Sequence, residues 1–93
     1  MALYVISCID KDGALETRMA TRPAHLEHVK AHPGVRLAGP MLDEAGQPVG
    51  SLLLLEAPDI AAVRTFCDKD PYVKAGVFER VEIRAFKVAV GSL

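Results

Sequence analysis

The 93-residue sequence contains no tryptophan, only two tyrosines and three phenylalanines, two cysteines, and a net charge of -1 from eleven Lys and Arg against twelve Asp and Glu. Each shortage removes a class of protein. Without a basic surplus there is no electrostatic footprint for nucleic acid. An RNA-recognition sheet also needs several aromatic side chains for base stacking, and the first strand-like run offers only Tyr4. No apolar run approaches the ~20 residues that span a bilayer as a helix. Met1 to Asp10 lacks a basic leader and meets Asp10 before a signal-type apolar core could form. Cys8 and Cys67 make no CxxC motif, so they read as reduced cytoplasmic thiols buried as small hydrophobes. Glycine-rich phosphate loops and Gly-x-Ser-x-Gly are absent too.

What is present in excess is apolar side chain: 51% hydrophobic residues against 25% charged. The length predicts one domain over 1–93. A domain this small buries only about 60% of the surface its unfolded chain exposes. The apolar surplus therefore needs a destination.

Residues 2–9 (ALYVISCI) are apolar at nearly every position, as in a strand covered on both faces. Asp10 to Gly13 is a turn signal. From Ala14 to Ala31 the apolar residues Leu15, Met19, Pro23, Leu26 and Val29 recur at helical spacing. Thr21-Arg22-Pro23 looks like a fresh helix start, which predicts a short helix, a break near Thr21 and a longer helix to about Ala31. Val35 to Met41 reads as a short strand, 42–49 as a polar loop, and Gly50 to Ala57 as a second strand apolar on both faces. A helix over Asp59 to Asp68 carries Ile60, Val63, Phe66 and Cys67 on one stripe. Asp70-Pro71 is a turn or the cap of a short helical piece, and Phe78 to Val88 is the last strand. There Arg80, Glu82 and Arg84 alternate with Val81, Ile83 and Ala85.

The order βαββαβ defines an α+β, ferredoxin-like fold: a four-stranded antiparallel sheet with helices on one face. This topology centres the first and third strands, the two that are apolar on both sides. Two helices cover only one sheet face. The other is expected to meet a second copy, giving a homodimer packed sheet to sheet as a dimeric α+β barrel.

Few residues offer chemistry. His25, His28 and His32 form one helical column, but no Cys, Asp or Glu joins them at ligand spacing, so no metal is expected. Arg18, Arg22 and His25 share a helix face, which reads on spacing alone as an ordinary solvated surface. Ser7 interrupts an apolar strand; its hydroxyl either lines a pocket or bonds locally. Tyr4 and Tyr72 are amphipathic and suit either job. Gly39-Pro40 and Gly50-Ser51 read as backbone-geometry residues rather than ligand contacts. Asp70 is first of all a cap; paired with a histidine it would fix the imidazole tautomer and raise its basicity.

An ordered set of segments resembles the YciI-like (YCII-related) family: Arg22-Pro23-Ala24-His25-Leu26, Ala38-Gly39-Pro40, Gly50-Ser51, Asp70-Pro71-Tyr72 and Ala75-Gly76-Val77. The opening Leu3-Tyr4-Val5-Ile6 and the late Arg84-Ala85-Phe86-Lys87 fit it as well. The resemblance implies a ferredoxin-like dimeric α+β barrel and an active site built on a His and an Asp, which fall on His25 and Asp70. Arg22 falls on the Arg preceding that His. His28 and His32 match no family motif. The expectation is a small cytoplasmic enzyme in which a His25–Asp70 dyad moves a proton on a small anionic organic substrate. Arg22, Tyr72 and Ser7 would bind that substrate, with no metal, organic cofactor, nucleic acid or membrane involved. The chemistry would be of isomerase, lyase or dehydrochlorinase type. The alternative is a dimeric domain that binds a small ligand, or serves another protein, without turnover. His25 discriminates: a general base faces an open cavity, whereas a structural histidine is sealed with both nitrogens satisfied.

Overall fold

The structure, a computed structural model, describes residues Met1–Leu93. Strand β1 (Ala2–Asp10) leads to helix α1 (Leu15–Ala31), then to the β2 (Val35–Leu42) and β3 (Pro48–Ala57) hairpin. Helix α2 (Ile60–Asp68) and the single turn α3 (Pro71–Lys74) precede strand β4 (Phe78–Phe86). The four strands form one antiparallel sheet in the order β2-β3-β1-β4. This is the ferredoxin-like α+β fold, with the doubly apolar strands β1 and β3 at the centre and β4 at an edge.

Alternation along β1 sorts the two faces of the sheet. Tyr4, Ile6 and Cys8 lie opposite Leu55, Leu53 and Ser51 of β3 and are buried beneath the helices. With Val29, Val63, Phe66 and Cys67 they make the core. The odd-numbered row points to the other side. There Val5, Leu54 and Leu37 stand abreast across three strands, and Ser7, Leu52 and Gly39 form the next row. Arg80, Glu82 and Arg84 of β4 fall on this second face too, opposite Ile9, Ser7 and Val5. The helix-free face is thus apolar at its centre and charged along the β4 edge. Gly50 is the one central-strand position with no room for a side chain, because a Cβ there would collide with the Cys8 carbonyl.

The two long helices start differently. Asp59 caps α2, its Oδ1 accepting the Ala62 N–H at 2.9 Å. Helix α1 has no side-chain cap and begins after the turn at Gly13, whose φ of 77° suits glycine. The break expected near Thr21 does not occur: α1 runs unbroken through Pro23. A proline removes one helical hydrogen bond and releases the carbonyl four residues earlier, here that of Met19. Met19 and Pro23 are both exposed, so water can satisfy that carbonyl. Buried Arg18 on one side, and His25 and Val29 on the other, hold the two halves against the sheet.

The face that α1 buries also differs from the expected apolar stripe. Leu15 and Met19 are exposed, and the buried positions along its whole length are Arg18, His25 and Val29. The reason lies beneath them. Asp10 ends the even-numbered row of β1 and offers Arg18 a buried ionic partner.

Candidate active site

Arg18 is only 3% exposed and forms a two-pronged ion pair with Asp10: Nε donates to Oδ2 at 2.7 Å and Nη2 to Oδ1 at 2.9 Å. Nη2 also donates to the Ser51 hydroxyl at 2.8 Å. Burial disfavours the guanidinium charge, but the hydrogen bond and charge of Asp10 outweigh it and hold Arg18 more firmly protonated than usual. This overturns the reading of Arg18 and His25 as solvated surface: the helix face that carries them is turned inward.

His25, two turns further on, is 7% exposed. Its Nδ1 lies 2.8 Å from Asp70 Oδ1. The same carboxylate oxygen accepts the Tyr72 backbone N–H at 2.9 Å, the bond that caps α3. Asp70 therefore caps one element and orients a side chain of another. An ionised carboxylate only accepts, so in the neutral imidazole Nδ1 carries the proton and Nε2 keeps the lone pair. Tyr72 stacks its ring on the imidazole, with centroids 3.9 Å apart and planes at 14°, and the Arg18 guanidinium carbon lies 4.6 Å from the same ring centroid. Tyr72 links the two halves of the site, and Phe78 meets it edge-on. Burial pushes the Tyr72 phenol up from its ordinary range, while the charges of Arg18 and Arg22 act in the opposite sense.

A cavity of about 360 Å³ opens between α1 and the β2–β3 hairpin. Arg18, Arg22, His25, Ser51 and Tyr72 supply its polar lining; Met19, Leu26, Pro40 and Leu42 are among the apolar side chains around it. His25 Nε2 makes no hydrogen bond within the protein, and no buried side-chain nitrogen or oxygen lacks a partner. Nε2 is therefore accessible from this cavity. The site can accept a proton at Nε2 and attract an anion with Arg22 at its rim.

The structure thus brings His25, Asp70, Tyr72 and Arg22 together. Ser7 is not with them. It lies on the helix-free face, opposite Leu52 and Glu82, because strand alternation places it one residue out of phase with Ile6 and Cys8. The hydroxyl in the cavity belongs to Ser51, across from Cys8 on the covered face. Gly39 and Pro40 likewise line the cavity. Sequence reasoning missed Ser51, Arg18 and Asp10. The usable signal was parity: Asp10 falls in phase with buried Cys8, and Arg18 sits two turns from His25 on the same helical face.

The remaining histidines belong elsewhere. His28 Nε2 meets the Phe66 carbonyl at 2.9 Å, and its ring lies on Phe66. His32 Nδ1 accepts the Gly34 N–H at 3.1 Å. Both fasten the end of α1 against α2. No three His, Cys, Asp or Glu side chains converge as a metal site would require. Both cysteines are free and buried. Burial raises the Cys8 thiol to about 12, with Cys67 and Asp70 adding to it, and raises Cys67 to about 11. No helix is long and apolar enough to cross a membrane.

Fold and cleft together define a class: a ferredoxin-like α+β domain with a polar pocket between its long helix and its sheet. Within that class, residues 2–87 match the YCII-related domain, and the chain belongs to this family. It is 40% identical to the protein YciI of Escherichia coli, covering 91% of this chain and 96% of that relative. An uncharacterized protein of Haemophilus influenzae is 35% identical over 90% of this chain and 95% of its own. Among solved structures the fold is similar to TftG, the 5-chloro-2-hydroxyhydroquinone dehydrochlorinase of Burkholderia phenoliruptrix, in complex with 2,5-dihydroxybenzoquinone. The TM-score is 0.85 at 28% identity, covering 91% of this chain and 93% of that one. An antibiotic biosynthesis monooxygenase, at 14% identity and a TM-score of 0.60, shares the fold alone.

Proposed function

We propose that this protein is a small acid–base enzyme in which His25, oriented by Asp70, moves a proton on a small anionic organic molecule. The observation that carries the reading is the 2.8 Å contact between His25 Nδ1 and Asp70 Oδ1, made where both side chains are buried, while Nε2 opens on the cavity. That is the arrangement a general base needs: one nitrogen held, the other within reach of a substrate proton. Asp70 acts by holding the ring. His25 touches the substrate. Arg22 and Tyr72 bind it, Arg22 by charge at the rim and Tyr72 through ring and hydroxyl. No metal or organic cofactor takes part in these steps.

The likeness to TftG supports a dehydrochlorinase, lyase or isomerase type of reaction. Such reactions begin by removing a proton next to an electron-withdrawing centre. The apolar centre of the helix-free face supports pairing of two copies through it, and we propose a homodimer as the functional unit. The two free thiols suit a reducing compartment, so we place the protein in the cytosol.

The test is a screen of small hydroxylated rings and hydroxy acids, starting with 5-chloro-2-hydroxyhydroquinone. Chloride release and solvent-deuterium incorporation are followed by ion electrode and proton NMR. The expected result is turnover that falls about 10²–10⁴-fold in His25→Gln. Turnover that survives His25→Gln sinks the reading. Ligands that bind the wild type but never react favour the alternative, a binding domain without catalysis. Light scattering should give twice 10.0 kDa; a monomer at micromolar concentration refutes the dimer.

A further inference from the structure

Removing a proton from a carbon or a hydroxyl leaves an electron pair behind, and that charge needs a receiver. Arg22 is exposed, so water weakens any pairing it makes. The better-placed donor is Arg18. Its Nε and Nη2 are fully engaged with Asp10 and Ser51, and the guanidinium also lies in hydrogen-bonding contact with the Tyr72 side chain. Arg18 and Tyr72 both line the cavity, side by side, so one ligand oxygen entering it can meet both donors. The Tyr72 hydroxyl has Arg18 as its neighbour, on a residue only 1% exposed that also lines the cavity. Asp10 and Ser51 lock the guanidinium plane, so little reorganisation is needed when a ligand's charge develops. The phenol remains a protonated donor at neutral pH, because burial raises it.

We propose that the Arg18 guanidinium and Tyr72 Oη form an oxyanion-binding pair, and that the ligand is a planar, ring-sized molecule with an ionisable oxygen at one end and an apolar edge at the other. The apolar edge follows from the cavity mouth, where Met19 and Leu42 are 52% and 57% exposed although both are apolar, with Leu26 and Pro40 beside them. The flat His25–Tyr72 stack favours a planar body. In the reaction, the substrate C–H or O–H bond breaks and its proton joins His25 Nε2. The electron pair moves onto the substrate oxygen, which accepts N–H from Arg18 and O–H from Tyr72. This assignment makes Arg18 a catalytic residue and rests on the acid–base reading above.

The probes are para-nitrophenolate, its neutral methyl ether para-nitroanisole, and acetate, titrated against the purified protein by absorbance and calorimetry. The wild type should bind the phenolate about tenfold or more tighter than the ether, and correspondingly lower the pKa of the bound phenol by about one unit. Acetate, charged but without a ring, should bind about tenfold more weakly than the phenolate. Tyr72→Phe keeps the ring stack and should lose about tenfold in phenolate affinity with the ether unchanged. Arg18→Lys keeps a charge against Asp10 and should lose as much or more; if it fails to unfold cooperatively, Tyr72→Phe alone decides. His25→Gln should retain the phenolate preference while abolishing proton transfer, so failure of the base and failure of the oxyanion pair read out separately. The proposal is overturned by a wild type that binds phenolate no better than ether, or does not bind it at all. It is equally overturned by a preference that survives both Arg18→Lys and Tyr72→Phe, or one that vanishes in His25→Gln, or by acetate binding as tightly as phenolate.

Discussion

Helices α1 and α2 lie on the same face of the same sheet and bury opposite kinds of side chain. Under α2 lie Val63, Phe66 and Cys67, the stripe its sequence announces. Under α1 lie Arg18, His25 and Val29, while Leu15 and Met19 of its apparent stripe face solvent. The α2 side is bound by apolar area and close packing. The α1 side is bound by charge, with each buried polar group answered by a partner on another element: Asp10 and Ser51 from the sheet, Asp70 from the turn before α3. Local patterning yields to tertiary pairing where a site is built.

That contrast breaks under mutation in a definite order. The largest effect is expected from Arg18→Met, which leaves Asp10 as a buried, unpaired charge and should cost about 3–5 kcal/mol in denaturant unfolding. Adding Asp10→Leu removes the orphan and should restore most of that loss, turning the α1 face into a second α2 face, stable but unable to bind phenolate. If the double variant is no more stable than the single one, the pairing account of α1 is wrong. Val63→Ala, on the apolar side, should cost about 2 kcal/mol by lost burial and a small cavity, with ligand binding unchanged. Asp70→Ala removes the oxygen that both caps α3 and holds His25, and should cost about 1 kcal/mol in thermal unfolding while abolishing turnover by releasing the His25 tautomer.

The smallest effect concerns the thiols under the α2 side. Burial raises Cys8 to about 12 and Cys67 to about 11 from 9.0. In the unfolded chain both ionise near 9.0, so folding holds protons that the unfolded state releases. The contribution to stability is complete below that pH and fades as pH rises toward about 11 to 12. Disulfide-exchange reagents at about pH 8 should leave both thiols unmodified until the protein unfolds; rapid labelling of native protein contradicts the burial.

The sheet and α2 were legible because their burial is apolar and follows the period of two or of 3.6. The doubly apolar runs over 2–9 and 50–57 marked the central strands, and their surplus marked a second face. The dyad residues were legible only through the family motifs, since nothing in a spacing of 45 residues links His25 to Asp70. Ser7 was misplaced because an apolar strand gives no hint of which parity faces the helices. Asp10 and Ser51 on the covered face settle that parity, and each looked like a turn or geometry residue on its own. Pro23 misled for a related reason: its cost falls on an exposed carbonyl, which sequence cannot locate.

The central claim is that Asp70 holds the proton on His25 Nδ1 and leaves Nε2 bare to the cavity. Side-chain nitrogen NMR of uniformly labelled protein, recorded at about pH 8, reads this directly, because a free neutral histidine favours the opposite tautomer. Wild-type His25 should show a protonated Nδ1 and a lone-pair Nε2, reverting toward the Nε2–H form in Asp70→Ala. A wild-type His25 with its proton on Nε2, or a tautomer unaffected by Asp70→Ala, contradicts that claim.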